Sequence, residues 1–188
     1  MHTGRSCVMS HEFNPLSLHR CWYYAVETME QVFDDGYAVT VARTESGWSV
    51  RRFKDRFTDL ATSVDAVRSL RSEGAAFALL NVEDDYLVLV RPGPSKVRVL
   101  LSDATMAVDD DFAADILDEA GIDVPDIDPD ELDDIEAWAE GDFDILADLG
   151  VSEERMSILL IDDPSPHDLA LTIAEDLGFA DELAEAVE

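Results

Sequence analysis

Asp126, Asp128 and Asp130 occupy the first, third and fifth places of a calcium loop of the EF-hand kind. Such a loop closes on its ion only when a glycine takes the sharp turn at the sixth place and a glutamate binds through both oxygens at the twelfth. Here those places hold Glu131 and Ala137, and Pro129 stiffens the chain where it must bend. The spacing therefore predicts weak attraction for divalent cations and no specific metal site. Clustered carboxylates can also divide acid and base roles, as in glycoside hydrolysis, but one of them must then lie in a rigid cleft that raises its pKa. A run broken by Pro125 and Pro129 and surrounded by water is the opposite environment.

Other reactive residue types are equally sparse. His2, His11 and His19 fall in the first 28 residues, and His167 stands beside Asp168 in what reads as the first turn of a helix. A zinc-dependent nucleobase deaminase needs His-x-Glu followed by Pro-Cys-x-x-Cys. The chain offers "HEF" (His11–Phe13) and only Cys7 and Cys21. There is no glycine-rich phosphate loop and no Gly-x-Ser-x-Gly elbow, and "RPGPSK" (Arg91–Lys96) reads as a hairpin loop. We expect no catalytic residue, no cofactor and no metal, and read the chain as a non-enzyme. Two cysteines make neither a metal site nor a disulfide framework, which points to a reducing cytoplasm.

Charge is the strongest signal. Of 188 residues, 13 are Lys or Arg and 43 are Asp or Glu, a formal net charge of −30. Residues 1–98 hold 12 of the bases and 13 acids, whereas residues 99–188 hold 30 acids and Arg155 alone. Acid spread evenly would suggest adaptation to salt; acid stacked on one half suggests a purpose there. Such a field repels nucleic acid and anionic membranes and attracts basic proteins within a Debye length of about 8 Å. No segment approaches the roughly 18 apolar residues of a membrane span. The residues expected to meet a partner are Asp126, Asp128, Asp130, Glu131, Asp133, Asp134, Glu136, Trp138, Asp142 and Phe143. Trp138 either packs on its own fold or inserts into the partner, since tryptophan is a preferred anchor. Arg51, Arg52, Lys54 and Arg56, interleaved with Phe53 and Phe57, suggest RNA contact; a polar strand end, or docking of the chain's own acidic segment, explains them better.

The elements that must position these residues follow from periodicity. Residues 1–33 read as a tail with a short helix over 23–33; its first 28 residues are either disordered or upstream of a start at Met29. "YAVTVART" and "WSVRRF" alternate around "ESG" and predict a hairpin. Thr62 or Ser63 can cap a helix that stops before Gly74. "AAFALLNV", "YLVLVRP" and "KVRVLLSD" predict three more strands, the first apolar throughout and so covered on both faces. In the last, Val97, Val99 and Leu101 share one face, and Lys96, Arg98 and Leu100 the other. Ser102 or Asp103 can cap a helix ending at Gly121. The order β-β-α-β-β-β-α predicts an α+β fold with a mainly antiparallel five-stranded sheet over residues 34–121. An acidic linker over 122–142 and a small helical module over 143–188 follow. In that module Ser152 caps one helix, and Ser165, Pro166 and Asp168 start another whose Leu169, Ile173 and Leu177 share a face.

Together, "VARTESGWSVRRF", "ALLNVEDDYLVLVRP", "VRVLLSDATMA", "GDFDILADLGVSEERM" and "IAEDLGFADELAEAV" resemble the actinobacterial tRNA adenosine deaminase-associated proteins over about residues 36–187. The "LADLG" and "LGFADEL" ends carry most of the resemblance. It implies association with the deaminase that makes inosine at the tRNA anticodon, and it brings no catalytic residues. The element order is similar to roadblock- and profilin-like domains by analogy. Joined to the charge, it implies an accessory protein that docks electrostatically on the tRNA-specific adenosine deaminase or another basic protein, without binding nucleic acid itself. The other reading is a stand-alone scaffold, homodimeric or not, whose acid only keeps it dissolved.

Overall fold

A computed structural model describes residues 36–188 apart from Glu73 and Asp162, and for Asp130 and Asp133 the backbone alone. The expected tail and its short helix over 23–33 lie outside the described residues.

The predicted hairpin is present as β1 (Tyr37–Thr44) and β2 (Gly47–Phe53), paired antiparallel from Ala38↔Phe53 to Thr44↔Gly47. Helix α1 (Leu60–Ser69) begins earlier than Thr62 or Ser63 would have it. The carboxylate of Asp59 accepts the Ala61 N–H at 2.7 Å and caps the helix, while Ser63 donates its hydroxyl to Asp55 at 2.8 Å. Strands β3 (Ala76–Val82), β4 (Tyr86–Pro92) and β5 (Val97–Leu101) follow, and every pairing in the sheet is antiparallel.

The sheet has six strands, in the order β2-β1-β3-β4-β5-β6, not the five expected. The sixth, β6 (Glu140–Gly141), comes from inside the acidic linker and pairs with Leu101 and Leu100. Two residues are too few to show a period of two, so alternation could not reveal it. Gly141 makes the approach feasible: its φ is +121°, and a Cβ there would lie 2.4 Å from the carbonyl oxygen of Val99.

The sheet is covered on both faces, as the unbroken apolar run of β3 requires. On one face Ala78, Leu80, Val88, Val90, Val99 and Leu101 pack with α1 and with α2 (Asp111–Ala120). On the other, Val39, Val41, Phe77, Leu79, Leu89 and Leu100 share a core with α3 (Glu153–Leu159), α4 (Pro166–Leu177) and α5 (Ala180–Val187). Residues 143–188, expected as a module beyond a linker, thus lie in the sheet's own core. Burying each large side chain there is worth about 1.5–3 kcal/mol.

Helix α2 starts at Asp111, later than a cap at Ser102 or Asp103 implies. Asp103 instead accepts the N–H and the hydroxyl of Thr105, and a 3-10 turn (Thr105–Val108) intervenes. The α2 cap is Asp110: one oxygen accepts the N–H groups of Phe112 and Ala113, and the other accepts the Tyr86 hydroxyl at 2.9 Å. Burial, reinforced by that carboxylate, pushes the Tyr86 phenol well up, so it remains a donor. Gly121, left-handed at φ 75°, ends the helix as expected. Ser152 and Ser165 cap α3 and α4 as read from the sequence, and Leu169, Ile173 and Leu177 are buried along α4.

Trp48 ties the two ends of the described chain together. Its indole N–H donates to the Leu177 carbonyl at 2.8 Å at the end of α4. Its ring lies 5.4 Å from that of buried Phe179, and the Arg43 guanidinium lies 4.8 Å over it.

Candidate partner-binding surface

After Gly121 the acidic segment is a strap laid along the α2 side of the molecule. Ile122 donates its N–H to Leu117 at the start. Pro125 and Pro129 prevent a continuous helix, and Pro129–Asp134 form a 3-10 turn. At the far end Ala104 donates its N–H to the Trp138 carbonyl at 2.7 Å, β6 joins β5, and Asp142 donates its N–H to the Val99 carbonyl at 2.8 Å. The strap is thus fixed at both ends.

The ten residues expected to meet a partner divide into two groups. Asp126, Asp128, Glu131, Asp134 and Glu136 are exposed on the strap, with Asp130 and Asp133 between them in its 3-10 turn. Trp138, Asp142 and Phe143 are half-buried and held by the fold. Trp138 packs on the core beneath α1 and α2 and donates its N–H to the Glu140 carboxylate at 3.2 Å. Phe143 packs on the opposite core. Asp142 accepts two hydrogen bonds from Arg98, at 2.6 and 3.0 Å, and one from the Asp144 N–H. The Arg98 guanidinium holds the Asp142 carboxyl below the usual aspartate range, and the pair raises Arg98 in turn.

Two further ion pairs, like Arg98–Asp142, are absent from the expectations drawn from the sequence. Arg91 donates to the Ile145 carbonyl and to both oxygens of Asp148, whose pKa it lowers. Arg155, the single base of the acidic half, grips Asp176 at 2.7 and 3.2 Å. These partners stand 57 and 21 residues apart, so only the fold brings them together. With Arg98–Asp142 they are the ion pairs among the described residues. They engage three of the 30 acids of residues 99–188.

Among the described residues the basic cluster forms no ion pair with the chain's own acidic segment. Arg51, Arg52, Lys54 and Arg56 are exposed, and no carboxylate among the described residues lies within ion-pair range of them. Arg52 donates instead to the carbonyls of Val187 and Gly36, each at 3.4 Å, at the close of α5 and before β1.

A cleft of about 380 Å³ opens where the strap meets β5, walled by Lys96, Arg98, Glu119, Asp142, Phe143 and Glu153 among others. Its central charges, Arg98 and Asp142, are spent on each other, and it holds no nucleophile beside a base. Among the described residues no three His, Cys, Asp or Glu side chains converge as a metal requires. No helix there is long and apolar enough to cross a membrane. The arrangement can attract and hold cationic groups.

Against known proteins, the model of the family described as Rv3753c-like tRNA adenosine deaminase-associated protein matches residues 36–180, from the turn before β1 to the start of α5. The chain is also 40% identical over 156 residues to Protein Rv3753c of Mycobacterium tuberculosis (strain ATCC 25618 / H37Rv), covering 82% of this chain and 88% of that protein. No solved structure matches it.

Proposed function

This chain belongs to the Rv3753c-like tRNA adenosine deaminase-associated family, and from that membership we propose that it is a non-catalytic cytoplasmic accessory protein docking on the tRNA-specific adenosine deaminase. The observation that carries this reading is the strap: a charged display anchored at both ends, with Asp126, Glu131, Asp134 and Glu136 exposed. An enzyme that acts on tRNA must offer positive charge to phosphates. An ordered row of carboxylates suits that same surface, and its ordering entropy is already spent in the free protein. Docked there, it competes with tRNA or holds the enzyme until substrate displaces it.

The test is capture of the purified deaminase by the full chain across a salt series. Binding is expected at low ionic strength and should fall steeply as salt rises. Replacing Asp126, Glu131, Asp134 and Glu136 by Asn or Gln should weaken it about tenfold or more, at up to about 1 kcal/mol per exposed charge. Deleting residues 122–142 is the poorer experiment, because it removes β6 and Trp138 with the acid. No capture at any ionic strength would remove the proposal.

A stand-alone scaffold draws on one observation: Ile158 in the last turn of α3 and Ile161 just beyond it are 58% and 72% exposed. That reading expects self-association in sedimentation that Ile161→Ser abolishes, and no response of partners to the strap variant.

A further inference from the structure

Strand β2 ends the sheet on one side, while β6 closes β5 on the other. An outermost strand turns the main-chain groups of every second residue away from the sheet. Arg43 donates its N–H to the Ala75 carbonyl, toward β3, so the residue paired with it, Trp48, turns its own N–H and carbonyl outward from β1. Val50 and Arg52 share that phase, opposite Val41 and Val39. Among the described residues no main-chain group bonds to these outward N–H and carbonyl groups. The strand is seven residues long without a proline, and its register with β1 shows no bulge, so two features that commonly blunt an edge are missing.

Arg51 and Arg52 are the remaining guard, and they select a register instead of forbidding every one. A two-fold axis through Val50 lays a second copy of β2 antiparallel to the first. Val50 then faces the copy's Val50, Trp48 its Arg52, Ser49 its Arg51 and Gly47 its Phe53. Every residue of the strand is paired, and the pairs through Trp48, Val50 and Arg52 each exchange two hydrogen bonds. No arginine opposes an arginine. Sliding the copies until Arg51 or Arg52 meets its own counterpart sets like charges opposite and shortens the ladder; sliding them the other way only shortens it. The Arg43 guanidinium already lies 4.8 Å over the Trp48 ring, and the copy's Arg52 brings a second cation to it. Arg52 shares the face of Trp48 and Val50, where a cavity of about 380 Å³ opens between the strand and Glu182, Glu185 and Ala186 of α5. Side chains of an added strand have room there, and those two glutamates form no ion pair among the described residues.

We propose that β2 pairs with β2 of a second copy of this chain, joining two six-stranded sheets into one. The homodimer needs no deaminase and uses neither the strap nor Ile161.

Sedimentation velocity of the full chain across a dilution series should show a monomer–dimer equilibrium. Amide exchange at Trp48, Val50 and Arg52 should slow as the dimer forms. Each copy carries a net charge of −30, so the dimer should tighten as salt rises, the opposite of strap docking. Val50→Pro removes an outward N–H and no bond to β1, and should weaken dimerisation about tenfold or more. Ser49 tests the register with the main chain intact. Ser49→Glu, set opposite the copy's Arg51, should tighten the dimer and Ser49→Arg should loosen it, the reverse of what net charge alone would give. A monomer at every concentration and salt overturns the proposal, as does a dimer that Ser49→Arg strengthens or Ile161→Ser abolishes. A monomer that still captures the deaminase leaves the accessory reading standing. A dimer of this kind that never captures it brings down the accessory reading alone.

Discussion

Single charges in this chain differ in worth because their surroundings differ. Asp142 and Arg98 keep about a quarter of their side-chain surface in water and meet through two hydrogen bonds, whereas Asp148 is 59% exposed. Asp142→Asn should therefore cost about 1–2 kcal/mol and Asp148→Asn under about 1 kcal/mol, measured by urea unfolding. The pH dependence has a definite sign. Asp142 titrates lower in the folded protein than in the unfolded chain, where an aspartate titrates near about 3.9. Its contribution is therefore complete above that value and lost as pH falls through the folded pKa. Protonating the crowded acids relieves repulsion over the same range, so the readout is the difference between wild type and Asp142→Asn. That gap should close below about pH 4; a gap constant to pH 2 contradicts the assignment.

Elements were legible wherever their own residues fixed them. The β1–β2 alternation, the Ser165-Pro166-Asp168 start of α4 and the two faces of β5 needed no long-range knowledge. Capping was harder: the Asp59 carboxylate reaches the orphan N–H of Ala61 and that of Asp110 reaches two, while Ser63 is taken by Asp55 and Asp103 by Thr105. β6 left no trace because two residues have no period, and its cause lies on β5. Two substitutions probe these elements. Gly141→Ala, forced against the Val99 carbonyl, should cost more than about 1 kcal/mol and speed amide exchange at Asp142, whose N–H that carbonyl accepts. Unchanged exchange there would contradict the role given to the glycine. Trp48→Phe, which keeps one aromatic ring but loses the bond to Leu177, should cost at least about 1 kcal/mol; no change in Tm would show the bond to be idle.

At the scale of the whole molecule the sequence showed that acid is stacked on one half and not where that half would go. Half of it, α2 and the strap, covers one face, and α3–α5 cover the other, because the long apolar strands demand a layer on each side. A linker and a separate module were the natural expectation, since nothing in residues 143–188 says which surface their apolar face meets. The candidate surface was legible as a segment, but Trp138, Asp142 and Phe143 are held by the fold. Charge this one-sided should also strain the protein itself: Tm should rise as monovalent salt is added, and a flat or falling Tm would mean the carboxylates are compensated. The most direct test of the central claim is the affinity of the full chain for the tRNA-specific adenosine deaminase, measured against salt for wild type and for the Asp126, Glu131, Asp134 and Glu136 neutral variant. Electrostatic docking predicts a steep loss with salt for wild type, and a weaker, flatter line for the variant. Two superimposed lines, or no binding at all, would contradict it.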